Sequence, residues 1–338
     1  MKTTMDHMFT GNPLEIEQAL EDVNKAISTT NVQGLLLVRE DLQSEIAIAA
    51  PVDTPVRNRL SRIEGNGTAH AWYQLQPVAT ACGRFFGTAP AQGFFARGGL
   101  PTATQASYVY QSAPYVSLGD IAQVTFFEQM AGRTFTDVKK SQIKVKMQNV
   151  CLMEEWAIIN GNSAANPLQF DGLDRLITTN QVDLAGAALT LATITTLMRT
   201  VVALGSKPQA LIVSLRENQR ISELILAGYY RLFQSGAGSM ADIPAGVAVT
   251  RWVSPHGTID IIPSRFICEN DYDRTRAFLI DDKSMTDDGN AIAMVDLMPI
   301  SSIDLSLITT AYRTLIAEFT VLMMTIEAFQ GKIINIGA

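Results

Sequence analysis

Charge is scarce in this chain. Asp, Glu, Lys and Arg make up 17% of its 338 residues, below the roughly one quarter of ordinary soluble domains, while 47% of residues are hydrophobic. So little charge predicts that part of the apolar surface is covered by other subunits. The net charge of −7 excludes a protein whose whole surface binds nucleic acid, although it leaves room for a local basic strip. Cysteine and histidine are scarcer still, at three each. Cys82, Cys151 and Cys268 stand far apart, without the paired spacing of a zinc site, and are expected to be reduced, buried thiols. His7, His70 and His256 have no partners in their local sequence, which removes the usual basis for a catalytic triad or a metal centre.

Other chemistry is missing too. Gly65-Asn66-Gly67 lacks the remaining spacing of a phosphate cradle, and no GxSxG nucleophile turn occurs. Asp281, Asp282, Asp287 and Asp288 lack the alternating ligands and closing Glu of a calcium loop, so they read as a solvated loop. Glu154 and Glu155 are adjacent, point in different directions on a helix, and make a poor acid–base pair. No enzyme and no cofactor is expected. Long hydrophobic runs are absent as well: Leu184–Met198 is broken by threonines and Leu315–Met324 by Glu318, short of the roughly 18 to 20 apolar residues a span needs. With no apolar signal core at the N-terminus, a soluble, cytoplasmic protein without a membrane partner is expected.

What is present is organised around residues 137–173. Val138, Val145, Leu152 and Ile159 recur every seven residues, thickened by Met153, Trp156 and Ala157, which predicts one long amphipathic helix to about Asn160 that crosses a core. Gly161 reads as its stop, through the left-handed cap that only glycine enters cheaply. Lys139, Lys140, Lys144 and Lys146 crowd the helix start and two glutamates its end, the reverse of what the macrodipole favours, which suggests a partner surface. The four lysines are either a solvated face or point charges for phosphate backbones.

Upstream, Asn12-Pro13 can open a short helix with Ile16, Ala19, Leu20, Val23 and Ile27 on one face, too small to fold alone. Residues 65–119 carry only two charges, Arg84 and Arg97, and no lysine. Alternation in Ala71–Leu75 and Ser107–Val116 around a glycine-rich middle predicts a long hairpin. Its Trp72, Tyr73, Phe85, Phe86, Phe94 and Phe95 are expected to contact a neighbouring subunit, because so many exposed aromatics would otherwise aggregate. Downstream, Thr190–Leu204 reads as a helix, Ala210–Ser214 as a buried strand, and a helix follows from Arg216 to about Ala227. Val247–Val253, Thr258–Ile262, Ala277–Asp281 and Ile316–Ala328 read as strands, and Gln234–Gly246 as a loop.

This order of parts resembles a tailed-phage major capsid protein of the Hong Kong 97 type. The local matches are Glu154–Gly161 followed by Phe170-Asp171-Gly172-Leu173, Ala210–Leu224, Ile259–Ser264 with Ala277–Asp282, and the closing Glu318–Ile336. The resemblance implies an α+β fold with an N-terminal arm (1–50), an extended loop (65–119), a peripheral domain with a long spine helix (120–173 and 290–338) and an axial domain (174–289). It further implies self-assembly into hexamers and pentamers of an icosahedral virion shell, assembled in the host cytoplasm around double-stranded DNA. A portal protein and a separate scaffolding protein would be partners. The alternative on the same fold is an encapsulin compartment. Some family members crosslink through a loop lysine; 65–119 has none, so no such crosslinks are expected.

Overall fold

The computed structural model describes residues 53–75, 79–80, 84–85, 97–100, 108–132, 137–234, 250–268, 273–282, 291–305 and 310–337. The arm expected over 1–50, Cys82, Phe86, Phe94, Phe95, Asp287 and Asp288 lie outside them. The elements are α1 (Pro55–Arg59), β1 (Ser61–Glu64), β2 (Ala69–Leu75), β3 (Ala79–Thr80), β4 (Arg84–Phe85), β5 (Tyr108–Pro114), β6 (Val116–Thr125), α2 (Phe126–Gly132), α3 (Val138–Asn160), α4 (Leu173–Leu176), β7 (Gln181–Asp183), α5 (Leu191–Ala203), β8 (Ala210–Val213) and α6 (Leu215–Gln234). Strands β9 (Arg251–Ser254), β10 (Gly257–Pro263), β11 (Thr275–Ile280), β12 (Ile292–Asp304), β13 (Ala311–Met324) and β14 (Gly331–Ile336) follow among the described residues, with a short 3-10 turn at Glu327–Phe329.

Two sheets carry the fold. One has the order β1-β12-β13-β6, the other β7-β14-β11-β8-β10-β9. Strand β8 is short, apolar and buried on both faces, as a central strand with parallel and antiparallel neighbours must be. Its alternation sorts two cores: Ala210 and Ile212 face a cluster shared with α1, α3, β12 and β13, whereas Leu211 and Val213 face α5 and α6. Thr190 caps α5 by accepting the Thr193 N–H at 3.2 Å. Of the span 290–338 grouped above with 120–173, β12 and β13 join the four-stranded sheet, while β14 joins the six-stranded one.

The hairpin arms pair antiparallel, with Tyr73 opposite Tyr110 and Trp72 opposite Gln111. Helix α3 spans its expected length, but its burial differs from the seven-residue stripe. Val145 and Trp156 are exposed, and the buried side chains are Val150, Glu154, Glu155, Ala157, Ile158 and Ile159. Only the second half enters the core, and its buried face is polar at two positions, which weakens the amphipathic pattern. Gly161 does end the helix, yet with φ −54° and ψ 137°, an extended conformation and no left-handed cap. A Cβ there would stand 2.4 Å from the Phe170 carbonyl oxygen and 2.6 Å from that of Ala157. Close approach of two backbones is what requires glycine at this turn.

Candidate assembly surfaces

The segment just after residue 52 is bolted to the rest of the molecule by charge. Glu155, fully buried, accepts the Val56 N–H at 3.0 Å and the Arg57 N–H at 2.6 Å, so it caps the first turn of α1 from another helix. Burial raises the Glu155 carboxyl above its ordinary range against the pull of those two amides. Glu154, also fully buried, pairs with both Arg57 and Arg62. Arg62 reaches Asp296 at 2.8 Å, and Asp296 accepts the Thr320 hydroxyl at 2.7 Å beside a register shift in β12. Arg59 turns the other way, to Asp282 at 2.5 Å and Asp260 at 2.7 Å on the six-stranded side. Three arginines within six residues thus tie one short strap to both sheets.

Glu318 on β13 lies in the same neighbourhood with a fully buried side chain, and neither of its carboxylate oxygens has a partner among the described residues. Burial first, and then the Glu154 charge, push its acid up to about 8. Sequence reasoning missed Arg57, Arg59, Arg62, Asp296 and Glu318. The available signal was two glutamates inside an apolar helix segment, since buried carboxylates demand cationic or donor partners elsewhere in the chain.

The acidic turn also differs from expectation. Asp281 and Asp282 are buried, not solvated: Asp281 accepts the Ser206 hydroxyl at 2.7 Å and the Lys207 N–H at 2.8 Å, and Asp282 holds Arg59. Cys151 is half-buried and Cys268 exposed, so the expectation of buried thiols fails at Cys268, which follows β10 in a surface turn. His70 stacks on Trp72 with ring centroids 5.8 Å apart.

The lysines at the start of α3 find carboxylates within the subunit. Lys139 reaches Asp304 at 3.0 Å and lies over the Tyr312 ring at 5.5 Å; Lys146 reaches Asp120 at 3.0 Å; Lys140 pairs with Asp137 at 3.5 Å. Asp137 also caps the helix through the Lys140 N–H, which answers the unfavourable macrodipole order. Lys144 is exposed, with no carboxylate partner among the described residues. The structure therefore presents Lys140 and Lys144 to solvent and commits Lys139 and Lys146.

On the hairpin, Tyr73 is 73% exposed and Tyr110 59%, edge to face at 5.5 Å, while Trp72 is half-buried with its Nε1 unpartnered among the described residues. Phe85 lies in β4, which pairs with β3. A second apolar surface runs along α3, where Leu152, Met153 and the 39% exposed Trp156 line an open groove with Leu118, Leu168 and Phe266. Among the described residues no helix is long and apolar enough to cross a membrane.

Comparison with known proteins matches this arrangement. No curated protein sequence matched the chain. Among solved structures, the Cyanophage A-1(L) capsid superposes with a TM-score of 0.62 at 12% identity, over 90% of this chain and 98% of that one. The capsid of an empty GTA particle gives 0.61 at 11%, over 93% and 99%. The SrpI encapsulin of Synechococcus elongatus PCC 7942 gives 0.58 at 11%, over 92% and 96%. These likenesses establish the Hong Kong 97-type capsid fold. The model of the SU10 major capsid protein family matches residues 23–288. By that match the chain belongs to the SU10 major capsid protein family.

Proposed function

We propose that this subunit forms hexamers and pentamers that close an icosahedral phage shell, assembled in the host cytoplasm around double-stranded DNA. The observation that carries the reading is the family match across most of the chain. The exposed aromatic hairpin supports it, because Tyr73 and Tyr110 are left largely uncovered by the described residues of the subunit. In this reading the α3 and four-stranded sheet unit is the peripheral domain and the six-stranded sheet the axial domain. Residues 1–50 form the arm and 65–119 the extended loop. Trp72, Tyr73, Phe85, Phe86, Phe94 and Phe95 contact neighbouring subunits. A portal protein and a separate scaffolding protein complete assembly, and the protein's role is structural, not enzymatic.

Expression with and without a co-expressed scaffold candidate, followed by negative-stain electron microscopy, tests the reading. Closed shells or hexameric sheets are expected; a monomer under every condition would refute it. DNA inside native particles supports the phage reading, and enclosed cargo protein would favour an encapsulin compartment. We further propose that the basic strip at Lys139, Lys140, Lys144 and Lys146 meets packaged DNA, with the exposed Lys140 and Lys144 nearest to it and Lys144 free of any carboxylate among the described residues. Replacing all four with Gln is expected to lower packaged DNA, and full packaging in intact shells would remove the proposal.

A further inference from the structure

Two Asn-Gly pairs occur in the sequence, Asn66-Gly67 and Asn160-Gly161. A glycine after asparagine leaves its own amide nitrogen unshielded, so that nitrogen can reach the asparagine side-chain carbonyl. The fold treats the two pairs in opposite ways. At the end of α3, the Asn160 amide donates to the Phe266 carbonyl at 2.9 Å, and the Gly161 N–H donates to the Ala157 carbonyl at 2.8 Å. Gly161 is buried, so neither the nucleophile nor the carbonyl is free to move there. Asn66 and Gly67 lie in the turn between β1 and β2, and both are exposed. Among the described residues neither the Asn66 side chain nor the Gly67 N–H has a hydrogen-bond partner. A Cβ placed on Gly67 would meet no heavy atom within 4 Å, so the space beside the nitrogen is open. The φ of +78° at Gly67 requires glycine in this turn, which fixes the reactive successor behind Asn66.

We propose that Asn66 is a self-modification site, converted by its own backbone and water into aspartate and isoaspartate. The Gly67 nitrogen attacks Cγ of Asn66. A nitrogen–carbon bond forms, the bond from Cγ to Nδ2 breaks, and Nδ2 leaves as ammonia with the proton that Gly67 gave up. Water then opens the cyclic imide at one of its two carbonyls. Opening on the main-chain side gives isoaspartate, and opening on the side-chain side gives aspartate. Water is the co-reactant, and no oxidant or reductant is needed. Either product places a carboxylate two residues from the exposed Glu64. The isoaspartate form also routes the main chain through one additional carbon. That carbon enters between two tethered points: the Gly65 N–H donates to the Asp296 carbonyl at 2.9 Å, and the Tyr115 N–H donates to the Thr68 carbonyl at 3.3 Å. The change therefore falls where the β2–β5 hairpin leaves the strap. The inference needs only the subunit fold and is independent of the shell reading.

Asn160 supplies an internal control with the same dipeptide chemistry. Full-length wild-type subunit is incubated in mildly alkaline buffer, once folded and once in urea, and sampled over time. Digestion and mass spectrometry then measure ammonia loss and isoaspartate at both asparagines. In the folded subunit Asn66 is expected to react at least about tenfold faster than Asn160, since reaction at Asn160 must first break the hydrogen bonds that hold both groups. In urea the two rates should converge, because the protection of Asn160 belongs to the fold. Equal rates in the folded subunit, or a difference that persists undiminished in urea, overturns the proposal.

Discussion

Gly161 offers a decision between two physical reasons for one residue. If the helix stop needed a left-handed backbone, alanine would cost about 1 kcal/mol and asparagine less, because Asn tolerates that conformation. The observed φ of −54° makes that account inapplicable. The obstruction is steric: an added Cβ meets the carbonyl oxygens of Phe170 and Ala157 at 2.4 and 2.6 Å. Neither can withdraw alone, since Ala157 O accepts the Gly161 N–H at 2.8 Å and Gly161 O accepts the Gly172 N–H at 2.9 Å. Gly172 is as confined, with its own Cβ position 2.6 Å from Ala157 O. Overpacking a dense site costs about 1–3 kcal/mol, and two backbone collisions put Gly161→Ala at the upper end. The reduced entropy of the unfolded alanine chain returns under about 1 kcal/mol, leaving a net loss near 2. Urea denaturation of the dissociated subunit, followed by tryptophan fluorescence, measures it, with Trp156 five residues away as reporter. Gly161→Asn should be at least as damaging as Gly161→Ala. An asparagine variant milder than alanine, or both within about 0.5 kcal/mol of wild type, would refute the steric account.

The strap yields three further predictions. Glu155→Ala removes the acceptor of two amides at the start of α1 and should destabilise by about 2 kcal/mol, whereas Glu155→Gln retains one acceptor oxygen and recovers part of that, read by urea midpoints. The Arg251 hydrogen bond, then the Arg59 contacts, hold the Asp260 carboxyl below its usual range; its contribution is full above that range and lost as pH falls through it. The urea midpoint should therefore drop below about pH 4, less steeply in Asp260→Asn, and equal slopes would contradict the assignment. Arg57→Gln and Arg62→Gln share Glu154 and should couple by roughly 0.5–3 kcal/mol in a double-mutant cycle, while Arg59→Gln, which shares no carboxylate with Arg62, should couple less.

Most elements were legible because period and composition agree with burial. Strand β8 announces itself as a run of apolar residues ending at Lys207-Pro208 upstream and Ser214 downstream, and the hairpin arms by alternation around a glycine-rich middle. Helix α3 was legible in extent but not in orientation. A heptad count assigns its buried face by hydrophobicity, and here the buried face includes Glu154 and Glu155, whose partners lie about a hundred residues upstream in Arg57, Arg62 and the α1 amides. No local pattern encodes so distant a pairing. Asp281 misled for the same reason: a run of acids reads as solvated until Ser206 and the Lys207 amide are seen to meet it. Gly161 was correctly a stop for a reason that only the proximity of Phe170 and Gly172 supplies.

The placement of the strap explains why it is fastened by charge where apolar packing alone could hold a short helix. It lies in sequence between the proposed arm and the β2–β5 hairpin, the two segments that in a shell would engage neighbours. Any pull along either segment reaches the strap first. Val56 and Leu60 anchor it by burial, which resists removal but tolerates sliding along the core. Arginine forks do not slide, because Arg62 must meet Glu154 and Asp296 together, and Arg59 must meet Asp260 and Asp282. The two sets address different sheets, so a shift of one sheet against the other breaks bonds at one fork while the second still holds. Apolar burial thus supplies the adhesion, and the forks supply the register.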